Sequence, residues 1–183
     1  MRRLILAVFG AVVLVPNVAL QAQRPVSISL AGGISLPQGS LGDGSDMGWH
    51  GLAALNFSSL MLPMGLRVDA AFNRFGSTET GVSLGSDGHY DVGSLTGNLT
   101  YRLPMTNSPL SPYLIAGMGA YRTSCNFGTS ASCDASTAFG WNAGLGVRMY
   151  FLRFRSFLEA RYHSTERDAS SINYFPLTFG VTF

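Results

Sequence analysis

The sequence contains no lysine and has few charged residues of any kind. All 12 basic residues of the 183-residue chain are arginine, and only 12% of its residues are charged. Soluble proteins usually mix lysine and glutamate over their surfaces, so this composition disfavours an ordinary water-facing exterior. The chain also lacks the basic stripe that a nucleic-acid-binding surface requires. The composition therefore gives no support for a nucleic-acid partner.

Long apolar runs are also missing, apart from one at the N-terminus. Two arginines at positions 2 and 3 precede an apolar run, residues 4–15, and a small-residue site that ends at Ala22. This order is typical of a secretory signal peptide. The run of about 12 residues is too short for the ~20 that cross a bilayer as a helix. We expect residues 1–22 to be a signal peptide and residues 23–183 to form one domain, which enters a membrane only as strands.

What the chain does contain is an alternation of apolar with small or polar residues over eight segments. Successive side chains of a β-strand point to opposite faces, so this period of two predicts strands with one apolar face. The closing FPLTFGVTF shows the pattern most clearly. The predicted strands are Val26–Leu36, Met47–Phe57, Met64–Arg74, His89–Leu103, Pro112–Arg122, Thr137–Tyr150, a seventh around Leu158–His163, and Phe175–Phe183.

The connections between these strands alternate in length. The first, third, fifth and seventh are long and polar, whereas the second, fourth and sixth are short. Membrane barrels have this asymmetry, with short periplasmic turns and longer external loops. Lipid-spanning strands must also close on themselves, because every backbone donor and acceptor needs a partner there. The sequence predicts an all-β protein, an eight-stranded antiparallel up-and-down transmembrane β-barrel with both termini on the periplasmic side of the outer membrane.

A soluble barrel with its apolar face turned inward would show the same alternation. The polar face decides between the two, because it consists mainly of Gly, Ser, Ala, Asn and Thr. Such residues suit the crowded interior of an eight-stranded barrel better than an exterior in water. We therefore favour the membrane barrel. The fifth strand is apolar or small on both faces, so its outward face stays open.

The segments PYLIAGMGAY, FGWNAGLGVRMYF, FLEARYH and FPLTFGVTF resemble strands of the small eight-stranded outer-membrane barrel family, which includes the OmpA transmembrane domain and OmpX. The resemblance covers residues 24–183 and implies architecture rather than activity. In that family the barrel assembly machinery reads a terminal strand that ends in Phe. The resemblance thus implies an assembly signal here, formed by Phe175, Leu177, Phe179, Val181 and Phe183.

Two cysteines, Cys125 and Cys133, lie in the predicted third long loop, residues 124–136. An exported protein meets an oxidising environment, in which disulfides form and persist. We expect a disulfide between these cysteines to pin the loop, and we do not expect two lone thiols to bind a metal.

Three histidines, His50, His89 and His163, lie near the external ends of their strands but lack metal-ligand spacing. We interpret them as polar residues at the membrane interface. A catalytic alternative comes from the outer-membrane deacylase PagL, which uses a His and a Ser two positions apart together with a Glu. Here Ser164 follows His163 directly, so the spacing fails. The sequence predicts no catalytic residue, no metal site and no cofactor.

Charged residues on the small and polar face are few, and they include both signs. If the turn after the sixth strand centres on residues 153–154, Arg148 lies directly across from Glu159. Unpaired charges in a confined lumen are costly, whereas paired ones can persist. We therefore expect a luminal charge network that plugs the barrel, formed by Arg67, Asp69, Arg148, Glu159 and Arg161.

These observations favour a monomeric outer-membrane barrel without catalytic activity, with lipids and the assembly machinery as its partners. Such a protein would act in envelope integrity or surface interaction through its external loops. The alternative is a narrow channel for small solutes or lipophilic molecules. Solute flux distinguishes the two functions.

Overall fold

The chain forms a closed barrel in which eight antiparallel strands follow one another in sequence order. The computed structural model describes residues 26–42, 45–58, 62–76, 89–105, 108–126, 132–151, 154–165 and 171–183. The predicted fold is thereby confirmed, whereas the predicted signal peptide lies outside the described residues. The strands are β1 (Val26–Gln38), β2 (Gly48–Ser58), β3 (Met64–Gly76), β4 (His89–Arg102), β5 (Ser111–Asn126), β6 (Ser132–Phe151), β7 (Phe154–Thr165) and β8 (Ile172–Thr182).

The barrel closes where the last strand pairs with the first. β8 runs antiparallel to β1 from the pair Ser29–Thr182 to the pair Gln38–Asn173. One step beyond this ladder, Phe183 donates its backbone N–H to the carbonyl of Ile28 at 2.8 Å and accepts one from it at 3.3 Å. The final residue of the chain is therefore hydrogen-bonded into the seam, which leaves the sheet without a free edge.

The apolar face of the strands points outward. Leu66, Leu95, Phe139 and Leu145 are all exposed, and each belongs to the apolar set of its strand. Serine, threonine, asparagine and charged side chains occupy the buried interior. A soluble barrel would bury the apolar set instead, so that alternative is wrong. In the part of the chain that the structure describes, no helix is long and apolar enough to cross a membrane.

The fifth strand, whose faces the sequence left open, is oriented by its aromatic residues. Tyr113 and Tyr121 are buried in the interior, whereas Leu114 and Met118 are exposed on the outer surface. Both tyrosine hydroxyls find hydrogen-bond partners inside. A buried tyrosine requires such a partner, so the polar contents of the lumen select the inward face of β5.

The predicted third long loop is largely strand. β5 continues to Asn126 and β6 begins at Ser132, so both cysteines lie in strands, not in the loop predicted over 124–136. The ladder crosses an irregularity between Thr123 and Cys125 and then resumes. The prediction relied on the serines and threonines of this stretch as turn formers. Ladder hydrogen bonds form between backbone groups, so polar side chains do not end a strand that is already paired.

The predicted register between the sixth and seventh strands is wrong by two residues. Phe151 faces Phe154, which places Gly146 opposite Glu159 and Phe157 opposite Arg148. The predicted Arg148–Glu159 cross-strand pair is therefore absent. A shift of two keeps each side chain on its face.

The seam predicts a specific role for the terminal residue. We expect Phe183→Asp to lower the amount of folded barrel in the outer membrane several-fold. The Phe183 side chain is 63% exposed on the outer surface and packs against the ring of Phe154, so the variant would place a carboxylate in this apolar contact. Phe183→Trp, which keeps an aromatic ring, and Tyr150→Asp, which places a charge on another strand end, serve as controls. Heat-modifiable gel mobility of isolated outer membranes measures the folded fraction. Normal folded levels of Phe183→Asp would contradict the prediction.

Candidate functional site

Four buried charged residues meet at the centre of the lumen. Two come from β3, Arg67 and Asp69, and two from β7, Glu159 and Arg161. The two strands are four positions apart around the eight-stranded barrel, so they form opposite walls. The side chains are no more than 3% exposed. We call Arg67, Asp69, Glu159 and Arg161 the charge quartet.

Each arginine of the quartet contacts both carboxylates. Arg67 Nε lies 2.6 Å from Asp69 Oδ1, and its Nη1 lies 2.9 Å from Glu159 Oε2. Arg161 Nη2 lies 2.8 Å from Asp69 Oδ2, and its Nε lies 2.7 Å from Glu159 Oε1. This last contact is an ion pair by distance but lacks hydrogen-bond alignment. Two positive and two negative groups thus form a closed ring with no net charge.

Neutral side chains donate further hydrogen bonds to the two carboxylates. The hydroxyl of Tyr113 donates to Glu159 Oε2 at 2.6 Å, and Asn98 Nδ2 donates to Asp69 Oδ2 at 3.2 Å. Asn142 links the two sides, since its amide donates to Asn98 Oδ1 at 2.9 Å and its carbonyl lies 3.4 Å from Arg161 Nη1. A buried charge is stable only when its remaining lone pairs and protons find partners. These neutral residues were not singled out in the sequence, although Asn98 and Asn142 lie on the predicted inward face; Tyr113 belongs to the fifth strand, whose faces the sequence left open.

Arg148 does not join the quartet. Its guanidinium lies over the ring of Tyr113, with Cζ 4.5 Å from the ring centroid. None of the described carboxylates forms an ion pair with it. The structure therefore brings together four of the five predicted network residues, and Tyr113 stands between Arg148 and the charge quartet.

Two of the three histidines also lie in the lumen rather than at the membrane interface. His50 and His163 are 4% and 5% exposed. His50 Nδ1 is 3.0 Å from Ser35 Oγ, and its Nε2 is 2.9 Å from Thr178 Oγ1. The interfacial interpretation is wrong for this pair, because both residues lie on the inward face and find hydroxyl partners there. Among the described residues, no group of three or more potential ligands forms a metal site.

An apolar cluster lies beyond the histidines, at the end of the barrel opposite the termini. His163 connects to it, since its Nδ1 is 2.9 Å from the hydroxyl of Tyr121 and its ring stacks on Tyr174 at 4.8 Å. The cluster consists of Leu41, Phe75, Val92, Tyr121, Ile172 and Tyr174, all buried. We call these six residues the apolar cap. From the charge quartet to the apolar cap, the lumen is therefore filled by side chains.

The cysteines lie opposite each other at the same end of the barrel. Cys125 and Cys133 are Cα partners in the β5–β6 ladder, and no cysteine of the described residues is free. Directly opposed antiparallel residues have Cα atoms ~4.5–5.5 Å apart, which lies within the range that a disulfide spans. The backbone register therefore supports the predicted disulfide.

The outward apolar surface, the closed ladder and the filled polar interior define a transmembrane β-barrel of the outer-membrane type. The chain belongs to the outer membrane protein beta-barrel domain family, whose model matches residues 4–183. Its location is accordingly the outer membrane, where the exposed apolar surface contacts lipid.

Solved structures of small barrels resemble this one. Neisserial surface protein A matches with a TM-score of 0.66 at 18% identity, over 87% of this chain and 96% of that one. Ail, the attachment invasion locus protein of Yersinia pestis, matches with a TM-score of 0.53 at 19% identity, over 86% and 97%. The N-terminal barrel domain of Pseudomonas aeruginosa OprF matches with a TM-score of 0.52 at 14% identity, over 87% and 98%. At these identities the likeness concerns the fold. Among curated proteins, no sequence matches the chain.

The charge quartet predicts strong coupling between its members. We expect Glu159→Gln to lower the free energy of unfolding by about 3–5 kcal/mol, because it leaves Arg67 and Arg161 short of a carboxylate in a buried site. The double variant Glu159→Gln with Arg67→Gln should lose less than the sum of the single variants. Reversible urea unfolding in lipid vesicles measures each value. Additive losses would show that the ion pairs are uncoupled.

A partly exposed ion pair of the same chain provides the control. Arg74 holds Asp91 through two contacts of 2.8 Å, and its side chain is 42% exposed. Ion pairs of this kind contribute up to about 1 kcal/mol. Asp91→Asn should therefore cost far less than Glu159→Gln in the same assay.

The opposed cysteines predict an intramolecular disulfide. We expect tryptic digestion of the unreduced protein to release one peptide, residues 123–148, which contains both Cys125 and Cys133 and gains two hydrogens on reduction. Mass spectrometry of freshly isolated membranes, alkylated before lysis, measures this directly. Alkylation of both cysteines without reduction would show that the disulfide is absent.

Proposed function

We propose that this protein is a monomeric, non-catalytic barrel that acts in envelope integrity or surface interaction through its external loops. The observation that carries the proposal is the filled lumen. The charge quartet bridges the two walls at mid-height, and the apolar cap packs across the end remote from the termini. A barrel filled in this way offers no continuous water path, so its working surfaces are the outer wall and the ends.

Two similar structures support a role at the cell surface. One is described as a Neisserial surface protein and the other as an attachment invasion locus protein. The segments that connect β1 to β2, β3 to β4, β5 to β6 and β7 to β8 all leave the barrel at the capped end. We propose that this end faces outward, that both termini are periplasmic, and that the disulfide pins the β5–β6 hairpin there.

We also propose that the barrel has no catalytic activity. His163 is 5% exposed and faces the lumen, where it bonds to the hydroxyl of Tyr121. Lipid reaches only the outer wall, so this histidine cannot act on lipid. His50 is buried as well, and its neighbour Ser35 is fully enclosed. Neither histidine is placed to serve as a general base for a substrate outside the barrel, and we propose no cofactor.

Export and assembly complete the proposal. Residues 1–22 act as the signal peptide and residues 23–183 form the barrel. The assembly machinery reads the terminal strand through Phe175, Leu177, Phe179, Val181 and Phe183. The exposure of Leu177 and Phe179 on the outer wall supports this role, because their side chains remain accessible to a partner.

The filled lumen predicts a barrel that does not conduct. We expect protein purified from membranes to give no steady single-channel current in planar bilayers and no solute flux in liposomes, because the charge quartet and the apolar cap obstruct the lumen. An open porin reconstituted in the same way is the positive control. A large, steady conductance, or flux of small solutes at porin-like rates, would favour the narrow channel instead.

A further inference from the structure

A cavity of about 340 Å³ opens at the end of the barrel that carries the termini. It lies on the side of the charge quartet remote from the apolar cap, and every strand except β3 contributes to its lining. Hydroxyl groups from Ser27, Ser156 and Thr182 contribute to its wall. Three arginines, Arg102, Arg148 and Arg155, line it, and no carboxylate of the described residues does.

The described arginines fall into two groups, and Arg122, which is exposed near the opposite end, shares the lack of an ion pair with the three that line the cavity. Arg67, Arg161 and Arg74 each contact a carboxylate. In the described parts of the chain, Arg102, Arg148 and Arg155 form no ion pair. Like charges that converge on a semi-enclosed space repel one another, because water there screens them less than in bulk. An anion in the cavity would remove that repulsion.

One of the arginines is held in a fixed position. Arg148 lies over the ring of Tyr113, and Tyr113 is anchored by its hydrogen bond to Glu159. The glycine at position 146 leaves room for the ring, since a Cβ there would collide with it. The floor of the cavity is thus fixed by the charge quartet. Fixed donors bind an anion with less loss of side-chain entropy than mobile ones.

We propose that this cavity binds a small, multiply charged anion of the phosphate class from solution. The guanidinium group presents paired N–H donors that match the oxygens of a phosphate. Three such groups favour a ligand with more than one negative charge, and the hydroxyl groups supply further donors. The volume lies near the lower end of the range for small-ligand sites, ~300–1,000 Å³. Met149 and Tyr150 add apolar surface to the wall, so it is the three guanidinium groups and the hydroxyls that favour a free, multiply charged solute.

Isothermal titration with inorganic pyrophosphate tests the proposal. The protein is purified from membranes in a nonionic maltoside, at low ionic strength. We expect the wild type to bind, and Arg148→Gln and Arg102→Gln each to weaken binding about tenfold or more, because each removes a charge-assisted hydrogen bond. Arg122→Gln, which removes an exposed arginine near the opposite end, should bind like the wild type. Heat-modifiable mobility verifies that each variant is folded.

Three outcomes would overturn the proposal. The first is absence of binding to the folded wild-type protein. The second is an equal loss in Arg122→Gln, which would mean that pyrophosphate responds to net charge rather than to the cavity. The third is binding of a short-chain phosphatidic acid without binding of pyrophosphate, which would assign the arginines to a lipid headgroup.

Discussion

The structure depends on one constraint, which is that every backbone donor and acceptor inside a bilayer must be paired within the protein. Eight strands satisfy it only if the last returns to the first, and the ladder between β1 and β8 does so. Closure of the barrel then determines which face of each strand is apolar and which is polar. The outer wall must be apolar, and the narrow interior must be filled by the side chains that remain. The alternation along every strand follows from this single requirement.

The interior meets the constraint with polar groups that satisfy one another. Two arginines and two carboxylates form a neutral ring, and Tyr113, Asn98 and Asn142 occupy several of its remaining donors and acceptors, although Arg67 Nη2 has no hydrogen-bond partner. Small residues are as necessary as the charged ones. Gly146 leaves space for the ring of Tyr113, and without that space the tyrosine could not reach Glu159. The glycines of the inward faces thus determine where the large polar side chains lie.

Strand number and, for every strand except β5, the outward face could be predicted because each follows from a period of two in one strand at a time. The order of the strands followed from the alternating lengths of their connections. The register between β6 and β7 could not be predicted, since a shift by two leaves the alternation unchanged, and so Arg148 was paired with the wrong residue. The sequence predicted the residues that surround Glu159 but not which of them contact it directly. Arg67 and Arg161 belonged to the predicted network, but the contact to Arg67 crosses the lumen from β3, which no local pattern reveals. The histidines show the same limit, because their depth in the barrel depends on the tilt of the whole sheet.

The charge quartet joins β3 to β7, the two walls that lie farthest apart around the ring. It therefore acts as an internal strut across the diameter. A barrel held only by hydrogen bonds between neighbouring strands can flatten to an elliptical cross-section under the lateral pressure of the lipid. Ion pairs between β3 and β7 resist this flattening along the line that joins the two strands. Two of the four ion pairs, Arg67–Asp69 and Arg161–Glu159, lie within one strand. The other two cross the lumen, and Arg67 and Glu159 are 92 residues apart in the chain, so these two require the curled sheet and stabilise the closed tube.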